Sequence, residues 1–157
     1  SIYISTRMAS TKSYPKPKLW APMNPSKYVG DHTNIWVRSS WELRVFKWLD
    51  DDPSVVEWSS EEIVIPYMSP VDKKYHRYFP DIYARMKTAD GRTKSYLIEI
   101  KPFKQANEPE VKKKITKQYV SEVITYSVNQ AKWKAAEEFC KDHLWEFIIL
   151  TEKELKV

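Results

Sequence analysis

Tyr78-Phe79-Pro80-Asp81-Ile82-Tyr83-Ala84-Arg85-Met86, followed after Thr88-Ala89-Asp90-Gly91-Arg92 by Lys94-Ser95-Tyr96-Leu97-Ile98-Glu99-Ile100-Lys101, is the stretch that decides the fold. Both runs are rich in β-branched and aromatic residues, and the Asp-Gly between them is a hairpin signal, so they are expected to pair antiparallel. If Ala89-Asp90-Gly91 forms a three-residue loop with Gly91 left-handed, Thr88 opposes Arg92 and Asp81 opposes Glu99. Opposed side chains share a face with Cβ atoms about 4.5–5.5 Å apart, which suits two ligands of one metal ion. Lys101 falls on that face too, two residues beyond Glu99. A two-residue loop would slip the register by one and turn Asp81 to the other side of the sheet.

These residue types fit one kind of chemistry. Phosphodiester hydrolysis needs a hard cation to neutralise developing charge and to acidify a water, and Mg²⁺ is held by one or two carboxylates plus waters. Asp81 and Glu99 interrupt apolar runs, where an unpaired carboxylate costs several kcal/mol and so calls for a cation. The expected metal ligands are Asp81, Glu99 and the main-chain carbonyl of Ile100, with Lys101 placed to orient the attacking water or offset phosphate charge. The bland alternative is a Glu-Lys alternation on a solvated strand, which Ile98, Ile100 and Pro102 argue against.

Upstream, Ser39 followed three residues later by Glu42 is a capping-box signature. A helix of about three turns should follow, with Trp41, Val45, Trp48 and Leu49 as its apolar positions and Asp50-Asp51-Asp52-Pro53 as its stop. The box alone accounts for a glutamate at 42, so from spacing Glu42 is equally a helix cap or a site residue. Val55–Trp58 and Glu62–Tyr67 read as strands. Downstream, a helix is expected from Val111 towards Tyr126, a second box at Ser127–Gln130 restarts a helix, and Trp145–Leu150 closes as a strand. Lys112, Lys113, Lys114 and Lys117 are candidate contacts for a phosphate backbone, or simply a solvated helix face. His32, His76 and His143 are scattered and are left out of the site.

Net charge is +5 over 157 residues. Most of it lies in residues 1–34, where Arg7, Lys12, Lys16, Lys18 and Lys27 face Asp31 alone among several prolines. That segment reads as an extended basic arm, docked through Tyr14, Trp20 and Tyr28, ahead of a single domain over 35–157. Two glycines in the whole chain argue against a glycine-rich phosphate loop, hence against a nucleotide cofactor. A single cysteine excludes an internal disulfide and a thiolate zinc site, and fits a reducing compartment. No apolar run approaches the ~20 residues a membrane span needs.

The assembled pattern has Arg38-Ser39-Ser40-Trp41-Glu42, Ile65-Pro66-Tyr67, Phe79-Pro80-Asp81, Glu99-Ile100-Lys101-Pro102, Trp133-Lys134-Ala135-Ala136 and Ile149-Leu150-Thr151-Glu152 in order. It resembles the PD-(D/E)XK nucleases, in particular the head-completion nucleases of T4-like phages, and more distantly the endonuclease subunits of Tn7-type transposition. The resemblance implies an α/β, restriction-endonuclease-like fold with an αβββαβ core, its mixed central sheet flanked by helices. It also implies a catalytic set of Glu42, Asp81, Glu99 and Lys101. The cofactor it implies is Mg²⁺, or Mn²⁺ in its place, and the substrate is double-stranded DNA. The expected setting is head completion in the host cytoplasm or on the virion, with portal or neck proteins as partners. The rival expectation is a virion protein that keeps the fold to bind DNA without cutting it. A sequence-specific DNA-binding module is weaker, for want of a helix-turn-helix or zinc-finger pattern.

Overall fold

The computed structural model describes residues 16–156; Arg7, Lys12 and Tyr14 lie outside them. Strand β1 (Lys18–Trp20) pairs antiparallel with β2 (Ile35–Val37), and helix α1 (Ser40–Asp51) follows. Then come β3 (Val55–Ser60), β4 (Ile65–Met68), β5 (Tyr75–Tyr78), β6 (Ile82–Lys87) and β7 (Thr93–Ile100). The short α2 (Phe103–Ala106), the long α3 (Lys117–His143), β8 (Glu146–Leu150) and α4 (Glu152–Leu155) complete the order. The central sheet runs β3-β6-β7-β8, antiparallel except for the parallel β7–β8 pair, and β4–β5 form a separate two-stranded hairpin. This is a mixed α/β domain of restriction-endonuclease type, with α1 on one face of the sheet and α3 on the other.

The hairpin takes the register expected from its loop: Ile82 faces Ile98, and Lys87 faces Thr93. Thr88 N–H donates to Arg92 O at 2.8 Å, and Gly91 adopts φ +84°, a left-handed conformation that glycine takes without steric cost. Strand alternation then sorts the core. Ile82, Ala84, Ile98 and Ile100 pack with Val45, Phe46 and Leu49 of α1. Tyr83 and Leu97 pack on the opposite face with Trp133, Ala136 and Cys140 of α3. Each fully buried side chain of this size contributes roughly 1.5–3 kcal/mol.

Several local expectations are corrected. The run Tyr78–Met86 is not one strand: Tyr78 ends β5, and Phe79-Pro80-Asp81 carries the chain across to the central sheet. Pro80 has no N–H to offer a ladder, so pairing breaks there. The helix expected from Val111 begins only at Lys117, capped by Thr116 Oγ1 accepting from Tyr119 N–H. It does not restart at Ser127, whose hydroxyl donates to Val123 O inside one continuous helix. In α1 the core position is Phe46, fully buried, while Trp48 is 44% exposed.

The stretch read as an arm enters the fold from Lys18 onward. Trp20 packs against Phe46 and Trp58, and Tyr28 meets Trp58 edge-on at 4.9 Å. Buried Asp50, at the end of α1, accepts from Met23 N–H and Asn24 N–H at 2.8 and 2.9 Å, tying this stretch to the helix.

Candidate active site

The site forms where β6 begins and β7 ends. Continued one step, the register would set Ile100 opposite Pro80, where the ladder has stopped. Asp81 fills the gap: its Oδ2 accepts from Ile100 N–H at 2.7 Å. Asp81 precedes β6 and has no partner in the ladder, but its carboxylate is close enough to feel Glu99, Glu42 and Lys101. Glu99 is 5% exposed, and its Oε1 accepts from the Tyr78 hydroxyl at 2.8 Å. Its Oε2 lies 3.8 Å from Lys101 Nζ. Lys101 is itself fixed, because its N–H donates to Leu150 O on the parallel neighbour at 3.0 Å.

Glu42 reaches the group from the start of α1. Ser39 Oγ accepts from Glu42 N–H, so half of the expected capping box exists. The other half does not, because the Glu42 carboxylate accepts from Arg38 N–H at 2.6 Å instead of from Ser39. Glu42 is thus a buried carboxylate that both stabilises the helix start and adds charge to the site.

Charge is crowded here. Burial pushes the Asp81 carboxyl well above its ordinary range, and the nearby Glu99 and Glu42 push it further; the Ile100 N–H and Lys101 oppose them only partly. Burial also raises Glu42, with Glu61 adding to the effect and Arg38 N–H opposing it. Burial and the neighbouring Glu99 raise the Tyr78 hydroxyl, which stays protonated and remains a donor. A deficit of positive charge around oxygen ligands is the chemistry that a hard divalent cation fits. Among the described residues no three His, Cys, Asp or Glu side chains form a metal-binding group. The acids that could hold such an ion are Asp81 and Glu99, next to the Ile100 main chain.

Two residues here escaped sequence reasoning. Lys132 of α3 holds its Nζ 5.7 Å from the ring centres of both Tyr67 and Tyr78. Its ammonium is pushed down, first by burial and then by repulsion from Lys101, with attraction to Glu99 and Asp81 opposing. Glu61, in the left-handed region at φ +54°, donates its N–H to Asp81 O at 3.2 Å and binds Arg38 Nε at 3.0 Å. A non-glycine residue in that conformation beside a charged cluster stores strain of order 1 kcal/mol or more. By contrast, Lys112, Lys113 and Lys114 are exposed in the segment before α3, and only Lys117 is helical. The expected helical row of four lysines does not exist.

Known proteins resemble this chain over most of its length. The family described as TnsA-like endonuclease N terminal matches residues 52–152, a span that holds Asp81, Glu99 and Lys101 but not Glu42. The chain is also 42% identical over 141 residues to the head completion nuclease of enterobacteria phage T4, covering 87% of this chain and 91% of that protein.

Proposed function

This chain belongs to the TnsA-like endonuclease family, a family of PD-(D/E)XK-type nucleases, and from that premise we propose that it is a Mg²⁺-dependent endonuclease of double-stranded DNA. Its setting is phage head completion, cutting or trimming DNA after packaging and before tail attachment, in the infected host's cytoplasm or on the virion. Portal or neck proteins are its expected partners. The single observation that carries the enzymatic reading is the Ile100 N–H on Asp81 Oδ2, because it ties Asp81 to the strand that bears Glu99 and Lys101.

Asp81, Glu99 and the Ile100 carbonyl would hold the ion, with water filling out the rest of its shell. When bound, Mg²⁺ supplies charge for the phosphoryl transition state and lowers the pKa of a water. The protein's own residues do the rest. The Tyr78 hydroxyl occupies Glu99 Oε1 and so fixes that carboxylate. Lys101 Nζ, 3.8 Å from Glu99 Oε2, orients the attacking water or the phosphate oxygen it approaches. Glu42 holds a water or a second ion at the edge of the site, and Lys132 adds a cation from α3. Lys112, Lys113, Lys114 and Lys117 would meet the phosphate backbone.

The test is plasmid nicking by wild type, Asp81→Ala and Lys101→Ala, each with its folding checked. Mg²⁺-dependent nicking lost in both variants supports the proposal. Folded wild type that never nicks, with Mg²⁺ or Mn²⁺, points to the non-cutting virion protein instead.

A further inference from the structure

The β4–β5 hairpin has two faces of opposite character. Its register pairs Ile65 with Tyr78, Pro66 with Arg77, Tyr67 with His76 and Met68 with Tyr75. Ile65, Tyr67 and Tyr78 point inward and are buried together with Trp133 and Ala136 of α3. The other face is open to solvent: Met68 is 44% exposed, Tyr75 73%, and Phe79, two residues before Asp81, 41%. Arg77 lies between these two aromatics along the chain, its guanidinium over the Phe79 ring at 5.7 Å. Burial does not account for this face, because the packing of the hairpin on α3 uses the alternate residues.

The charge of the hairpin narrows what it meets. Residues 65–79 contain Lys73, Lys74 and Arg77 against Asp72 alone. Asp72 is occupied by His76 Nε2 at 2.7 Å, while Lys73 and Lys74 are exposed at the tip. Planar groups in a row, cations at one end and a hydrolytic site at the other make a surface complementary to nucleotides whose bases are free to stack. Duplex DNA hides the faces of its bases and has nothing to lay on Tyr75.

We propose that the outer face of this hairpin, through Tyr75, Arg77 and Phe79, is a stacking platform for unpaired nucleotides, with Lys73 and Lys74 on the adjoining phosphates. The substrate class this selects is DNA with a single-stranded stretch or frayed end beside the scissile phosphate. Base–aromatic stacking is sequence-tolerant, and the guanidinium plane adds to it. A protein partner would find the apolar area of this face broken by Arg77 and flanked by lysines, which favours the nucleic acid. This inference rests on the endonuclease reading for its biological sense and is measured without it.

The experiment is anisotropy binding of labelled single-stranded and duplex oligonucleotides of one sequence, in chelator so that nothing is cut. Wild type, Tyr75→Ala, Tyr75→Phe and Lys73→Ala/Lys74→Ala are compared, with melting curves as the folding control. The expected result is a loss of roughly tenfold in single-strand affinity for Tyr75→Ala, from one stacked base, with duplex affinity nearly unchanged. Tyr75→Phe, which keeps the ring, should bind like wild type. The double lysine variant should weaken both ligands and flatten the salt dependence by the worth of about one to two neutralised phosphates. Equal losses on single strand and duplex in Tyr75→Ala, or no loss on either, overturn the platform. Because cutting is absent from this assay, a wild type that never nicks plasmid sinks the nuclease reading alone, and the binding result stands separately.

Discussion

The two faces of strands β6 and β7 are built from alternate residues of the same segments, yet they serve different ends. On the α1 side, Ile82, Ala84, Ile98 and Ile100 are each at most 4% exposed and belong to the apolar core under α1. On the α3 side, Tyr83 and Leu97 continue the core for a few residues, and then Asp81, Glu99 and Lys101 replace it with charge. Stability and chemistry are thus divided between the two faces, because a period of two lets one strand supply both. The apolar face should carry folding energy without touching the reaction. The charged end should carry the reaction at the expense of folding energy.

The largest effects should fall on the charged end. Asp81→Ala, Glu99→Ala or Lys101→Ala should each lower nicking by about 10²–10³-fold or more, the size seen when one preorganised transition-state interaction is removed. The melting temperatures of the two acid variants should change little or rise, while Lys101→Ala, which takes a cation away from crowded acids, should gain no stability. The mirror experiment is Phe46→Ala on the α1 side, expected to cost about 3–5 kcal/mol of stability. The folded fraction should nick at the wild-type rate per molecule, and a proportional loss of rate would break the separation of faces.

A subtler test uses protonation. Asp81 is raised in the folded state, first by burial and then by Glu99 and Glu42. The fold therefore prefers its neutral form: the stability it contributes is fully present below the unfolded pKa, about 3.9, and is lost as pH rises through the higher folded value. Asp81→Asn, neutral at every pH and still able to accept from Ile100 N–H, should then raise the melting temperature in chelator at neutral pH by a few degrees. That gain should shrink as pH falls towards 4. A gain that grows on acidification would contradict the crowding of acids at this end.

Smaller still is the contribution of Tyr78. Tyr78→Phe keeps the buried ring and removes the donor to Glu99 Oε1, so a rate loss of about tenfold is expected, the worth of one hydrogen bond to a charged group. The smallest effects belong outside the site. Alanine at Lys112, Lys113, Lys114 and Lys117 should leave the rate at saturating DNA intact. It should reduce the salt slope of binding by about 0.9 for each phosphate that these lysines neutralise.

How legible all this was in the sequence varies by residue. The β6–β7 register could be read because a local loop, Ala89-Asp90-Gly91, fixes it, and local chemistry survives folding. The break at Pro80 was written in the sequence too, but the partner of the segment before it was not. Whether Tyr75–Tyr78 joins the central sheet or folds back on Ile65–Met68 depends on contacts far along the chain. Ser127-Val128-Asn129-Gln130 carries a helix-start signal that the continuous packing of α3 overrides, leaving the Ser127 hydroxyl to Val123 O. Lys132 looks like any lysine on a helix surface. Its place over Tyr67 and Tyr78 exists only once α3 lies across the hairpin. Glu42 was ambiguous for a physical reason, because a glutamate in the first turn of a helix is already explained by the cap. The structure gives it a main-chain partner outside the box, Arg38 N–H, and a charge felt at Asp81.

Asp81 and Glu99 are proposed to share one divalent ion beside Lys101. The most direct test of this sharing is Mn²⁺ titration of wild type, Asp81→Asn and Glu99→Gln, followed by the electron paramagnetic resonance of the free ion. Saturable binding by wild type that falls at least tenfold in affinity in both variants is the predicted result. Binding of equal strength in all three folded proteins would contradict it.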